Sequence, residues 1–113
     1  MKKINSHLLA LFFLLALAQT ILSKPVTGVY VSAIGQLEDD EEAPFEIIAN
    51  NKVHKCGGKP SNRFIVYSED PIVGHRRFLL ALEALRNNWV LTLDTSDCED
   101  NALIVDAIRL TVQ

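Results

Sequence analysis

The sequence predicts a mostly-β domain with one helix and one disulfide, and three observations carry that prediction. After residue 23, five short stretches are rich in β-branched and aromatic residues or alternate between apolar and polar. Only one stretch, from His75 onward, switches to the 3.6-residue period of an amphipathic helix. The two cysteines, Cys56 and Cys98, lie in turn-forming segments on either side of that helix.

The first 23 residues are read as a signal peptide. Lys2 and Lys3 form a charged start, and Leu8 to Ala18 is an apolar run about half as long as the ~20 residues needed to span a bilayer. Two cleavage sites fit, after Ala18 or after Ser23. Thr20 to Ser23 reads as the polar end of the leader, which favours the second. A domain of residues 24–113 remains, secreted or periplasmic, with no membrane span after cleavage. Ninety residues suffice for one small domain. Two cysteines in an exported domain of that size pair as one disulfide. Closing so long a loop is worth roughly 4 kcal/mol in the chain-entropy model.

Strand one is expected over Val26 to Ile34, with Gly28 and Gly35 as bend or bulge points. The acidic run Glu38 to Glu42 forms the polar tip of a hairpin that returns as strand two, Phe45 to Ile48. Asn50 to Asn62 is a loop dense in turn formers and carries Cys56. In strand three, Arg63 to Tyr67, alternation puts Phe64 and Val66 on one face and Arg63, Ile65 and Tyr67 on the other.

Asp70-Pro71 is a helix-start signal, a capping carboxylate before a proline suited to the first turn. Phe78, Leu82 and Leu85 form the apolar stripe of a helix of three to four turns, widened by Leu79, and Asn87-Asn88 stops it. Strand four, Trp89 to Asp94, turns Trp89, Leu91 and Leu93 inward. Thr95 to Asn101 is a turn holding Cys98. Strand five, Ala102 to Val112, has Ile108, Leu110 and Val112 as its inner set, and Asp106 marks a bulge or a late start. The order β-β-β-α-β-β is that of the five-stranded oligonucleotide/oligosaccharide-binding (OB) barrel, with the helix plugging one end. A small α+β sheet with the helix on one face is the alternative.

The chemistry is sparse. Without the leader the chain has 9 basic and 14 acidic residues, a poor match for nucleic acid or anionic membrane. No nucleophile motif surrounds His54 or His75, and no catalytic residue is assigned. His54 and Cys56 lack the paired spacing of a zinc site. The contiguous acids lack the alternate spacing and internal glycine of a calcium loop, so neither metal nor cofactor is expected.

Thr27-Gly28-Val29, an alternating strand, Gly35-Gln36-Leu37 with acids, and Pro44-Phe45 together resemble the start of the B subunits of AB5 toxins of the subtilase-cytotoxin and pertussis-like type. The later order of a cysteine loop, Arg63 to Tyr67, and Phe78 to Leu93 is similar to theirs. It is also similar to small exported bacterial OB-fold proteins with a Cys-strand-helix-strand-Cys arrangement. The resemblance implies an OB barrel that assembles as a ring and binds sialylated or other glycans. It also implies that Thr27, the hydroxyl residue before the Gly-Val pair, helps hold a sugar carboxylate. The toxin subunits commonly have more disulfides than this chain. Tyr30 and Tyr67 are the aromatic candidates for stacking on a sugar. The second expectation is a non-catalytic structural or protein-interaction domain that meets a partner protein or further copies of itself.

Overall fold

A computed structural model describes residues 24–37 and 44–111. The expected signal peptide, the acidic run and Val112 lie outside the described residues. The elements are β1 (Lys24–Gln36), β2 (Phe45–Ala49), a 3₁₀ turn (Cys56–Gly58), β3 (Arg63–Val66), α1 (Pro71–Asn87), β4 (Val90–Glu99) and β5 (Ala102–Thr111). The five strands form one sheet in the order β1-β2-β3-β5-β4, and β4 returns to β1 so that the sheet closes in a ring. Every pairing is antiparallel except β3 with β5. β1 serves both ends of the ring, pairing with β4 through Lys24 to Tyr30 and with β2 through Val31 to Gln36.

Interior positions alternate along the strands of a closed sheet, and a bulge both bends a strand and shifts that alternation by one residue. Here bulges reset the phase. In β1 the inward residues are Val26, Val29, Val31 and Ile34, with spacings of three, two and three. The first reset is at Gly28, whose φ of +66° is open to glycine at little cost. The second lies between Val31 and Ala33, where Ser32 is the extra residue. Gly35, expected as a bend, instead pairs regularly with Glu46. A Cβ there would come within 3.1 Å of Glu46 Oε1, so the glycine makes room for that side chain. In β5 the inner set is Leu103 and Val105, then Ile108 and Leu110, because Asp106 is the residue left over between two pairs with β4.

β4 departs most from expectation. It runs on through Thr95 to Glu99, which the sequence reading gave to a turn. The residues from Ser96 to Glu99 are exposed and show no apolar pattern. Their strand state comes from pairing with β5 across a two-residue turn, Asp100-Asn101. Both turn residues have positive φ, 49° and 65°, as a tight hairpin requires. Trp89 precedes the strand and is half-buried, so the inner face is Leu91, Leu93 and Thr95. Thr95 is buried, and its hydroxyl donates to the Lys24 carbonyl at 2.9 Å, closing the ring at the start of β1. In β3, Ile65 is buried along with Phe64 and Val66, although only the latter two belong to the core cluster.

The helix begins as read: Asp70 Oδ1 accepts the Ile72 N–H at 2.9 Å, and Pro71 occupies the first turn. At 17 residues it is about a turn longer than expected, and Asn88 stops it in the left-handed region at φ 56°. Of the expected stripe, Phe78 and Leu85 pack against the core, but the centre of the inner face lies elsewhere. Ala81 and Ala84 are the buried residues, flanked by Phe78 and Leu85, while Leu79 is 44% exposed. Small side chains let the helix approach the sheet closely. Phe78 then meets Phe45 edge to face, with centroids 5.3 Å apart.

The expected disulfide is present. Cys56 and Cys98 have Cα atoms 5.6 Å apart across a sequence separation of 42, an ordinary span for such a bond.

Candidate functional site

Two surfaces hold the residues singled out by sequence. The first is the β1 bulge. Thr27 is exposed there and Tyr30 is half-buried, on either side of the inward-facing Val29. The loop after β2 folds back against this bulge. Asn51 donates from Nδ2 to the Gly28 carbonyl at 2.8 Å and accepts the Tyr30 N–H on Oδ1 at 3.0 Å. The Asn50 N–H donates to the Tyr30 carbonyl at 2.7 Å. One asparagine side chain thus satisfies the donor and the acceptor that the bulge removes from the ladder.

The second surface is an open cleft of about 400 Å³ lined by Tyr67, Ser68, Glu69, Asp70, Val73, Arg77 and Asp106. It forms where β3 hands over to α1 and where β5 bulges. Arg77 ties these pieces together, donating from Nη1 to the Tyr67 carbonyl at 2.7 Å and from Nη2 to the Asp106 carbonyl at 2.6 Å. The Tyr67 hydroxyl donates to Glu99 Oε1 at 2.9 Å, which fixes the ring's tilt. The cleft therefore offers one half-buried aromatic face, the apolar edge of Val73, three carboxylates and a guanidinium held on backbone carbonyls. Thr27 and Tyr30 do not line it, so the three sequence candidates fall on two surfaces.

His54 has a structural task. Its Nε2 donates to the Arg63 carbonyl at 2.7 Å, its Nδ1 accepts the Cys56 N–H at 3.2 Å, and its ring sits edge-on to Phe64. Both nitrogens are engaged, which holds the cysteine loop beside β3. Neither His54 nor His75 lines the cleft. Cys56 is in the disulfide and so is not a thiolate ligand.

Sequence reasoning missed Asn51 and Arg77 as site residues. Asn51 lies in a loop legible only for its turn formers, and Arg77 lies off the apolar stripe of the helix, with nothing nearby in sequence to point to the two carbonyls it meets. Asp106 was flagged as a bulge, and the break in alternation was the available signal. Comparison of the chain with protein-family models, with curated proteins and with solved structures finds no match.

Proposed function

We propose that this chain is an exported glycan-binding module built on an OB-type barrel. The ring order β1-β2-β3-β5-β4, its single parallel β3–β5 pairing and a helix placed between β3 and β4 support the barrel reading. A disulfide suits an oxidising, extracellular-type compartment, and among the described residues no helix is long and apolar enough to cross a membrane.

The observation that carries the function is the Tyr67 cleft. A sugar needs an apolar platform for its ring face and fixed polar groups for its hydroxyls. Tyr67 and Val73 supply the platform; Asp70, Asp106 and Glu69 supply acceptors on a backbone immobilised by Arg77. Three carboxylates against one guanidinium favour a neutral saccharide there. The test is a glycan array on the purified protein, repeated with Tyr67→Ala and with Thr27→Ala. Binding of neutral glycans lost in Tyr67→Ala supports the reading, and an array with no binding overturns it.

A second reading, docking to a partner protein or to further copies of the chain, is favoured by one feature. Ile72 (63% exposed) and Leu79 lie seven residues apart on the outer face of α1. Sedimentation of the native chain and of Ile72→Ser/Leu79→Ser decides it: a higher-order assembly dispersed by the double substitution supports docking between copies.

A further inference from the structure

We propose that His54 is a proton-operated latch on the cysteine loop: a proton taken up at Nδ1 releases the Cys56–Gly58 turn from β3, while the disulfide keeps the turn tethered. The device is independent of what the barrel binds.

Only the neutral ring fits its surroundings. Nε2 must carry a hydrogen, because its partner, the Arg63 carbonyl at 2.7 Å, can only accept. Nδ1 must be bare, because the Cys56 N–H at 3.2 Å can only donate. A proton on Nδ1 would set two donors against each other and leave the Cys56 amide without its acceptor. The ring cannot simply turn away. The imidazole is half-buried and edge-on to Phe64, and the His54 backbone is bridged in both directions to Ser61.

The charges on the elements that meet at His54 do not favour the imidazolium. Lys52, Lys55 and Lys59 share its loop, and Arg63 opens β3. The carboxylates around them are engaged. Glu46 on β2 holds Arg63 Nε at 2.6 Å, Asp97 on β4 accepts the Cys98 N–H at 2.7 Å, and Glu99 accepts the Tyr67 hydroxyl. Asp100, in the β4–β5 turn, is exposed to solvent. The bond to Cys56 is therefore present in the neutral protein and lost as the pH falls from about 8 to about 5, the interval in which imidazole changes its charge. The chain sets what moves. Gly57 and Gly58 have φ of +76° and +87°, so the turn after Cys56 can rearrange through conformations that other residues resist. The Cys56–Cys98 bond limits that motion to a tethered shift of the turn.

The test is an NMR pH titration of the full chain over that interval, following the His54 ring nitrogens and the Cys56 amide. We expect the Nε2–H tautomer at the alkaline end. The Cys56 amide should lose hydrogen-exchange protection roughly fivefold in step with ring protonation, after correction for the intrinsic pH dependence of exchange. In His54→Asn the side-chain oxygen can accept from the Cys56 N–H but does not titrate, so the amide should stay protected throughout. His75→Gln removes the exposed histidine of the helix and should leave the Cys56 transition as it is. Constant Cys56 protection while the His54 ring titrates overturns the latch, as does a ring that stays neutral to the acid end. A Cys56 transition that survives in His54→Asn, or one that disappears in His75→Gln, overturns it too. Should His54→Asn not fold, the ring and amide of the unaltered chain still decide.

Discussion

The loop between β2 and β3 braces the ring at two places, and it does so by opposite means. Its first part, Asn50 to Lys52, leans on the β1 bulge through hydrogen bonds and leaves Thr27 exposed. Its second part, Cys56 to Gly58, is bonded covalently to β4 and wedged against the β4–β5 turn. The covalent end carries the stability. The polar end adds hydrogen bonds worth about 1 kcal/mol each, so the two halves of one loop differ several-fold in what they contribute.

The largest effect should come from breaking the covalent brace. Cys56→Ser/Cys98→Ser, or reduction, should cost about 4 kcal/mol, which lowers the melting temperature by roughly 20 °C in a domain of this size. An unchanged melt in reductant would remove the contrast between the two ends. Next is Gly57→Ala. The new Cβ would fall on Asn101 Oδ1, and the φ of +76° disfavours any side chain, so a loss of about 2–3 kcal/mol is expected by chemical denaturation. Adding Asn101→Gly should recover the steric part.

At the polar end, Asn51→Ala should cost about 1–2 kcal/mol and speed hydrogen exchange at the Tyr30 amide, since two backbone groups lose their partner. Asp70→Ala removes the helix cap outside both regions and should cost about 1 kcal/mol, read as a fall in denaturation midpoint. The smallest effect is expected at Thr27→Ala. As an exposed position it should move stability by less than about 0.5 kcal/mol in a denaturant melt. A large loss of stability there would mean that the polar end is structural too.

What the residues disclosed in advance was local chemistry. Asp70-Pro71 opening the helix, Asn88 closing it, Gly28 as a bulge, the Asp106 interruption and the Cys56–Cys98 pair each act within a few residues or by elimination. What stayed hidden depends on partners far along the chain. Thr95 to Glu99 has no strand pattern of its own and is extended because β5 pairs with it. Leu79 looked like core because leucine is apolar. The close contact belongs to Ala81 and Ala84, whose small size a hydrophobic stripe undervalues. Ile65 looked outward by alternation and is buried outside the core cluster. The candidate site was hidden for the same reason: Asn51 reaches Gly28 across 23 positions, and only the fold of the loop puts Lys52 beside that glycine.

The double pairing of β1 also has a kinetic consequence. Its second half finds β2 a short hairpin away, but its first half must wait for β4, with Thr95 and Lys24 separated by 71 positions. Contacts so distant in sequence are slow to form, so ring closure is expected among the late events of folding. Thr27 lies within that late half. In a stopped-flow refolding experiment, protection of the β1 amides that pair with β4 should therefore lag behind helix formation, making that half of β1 a reporter of the completed ring.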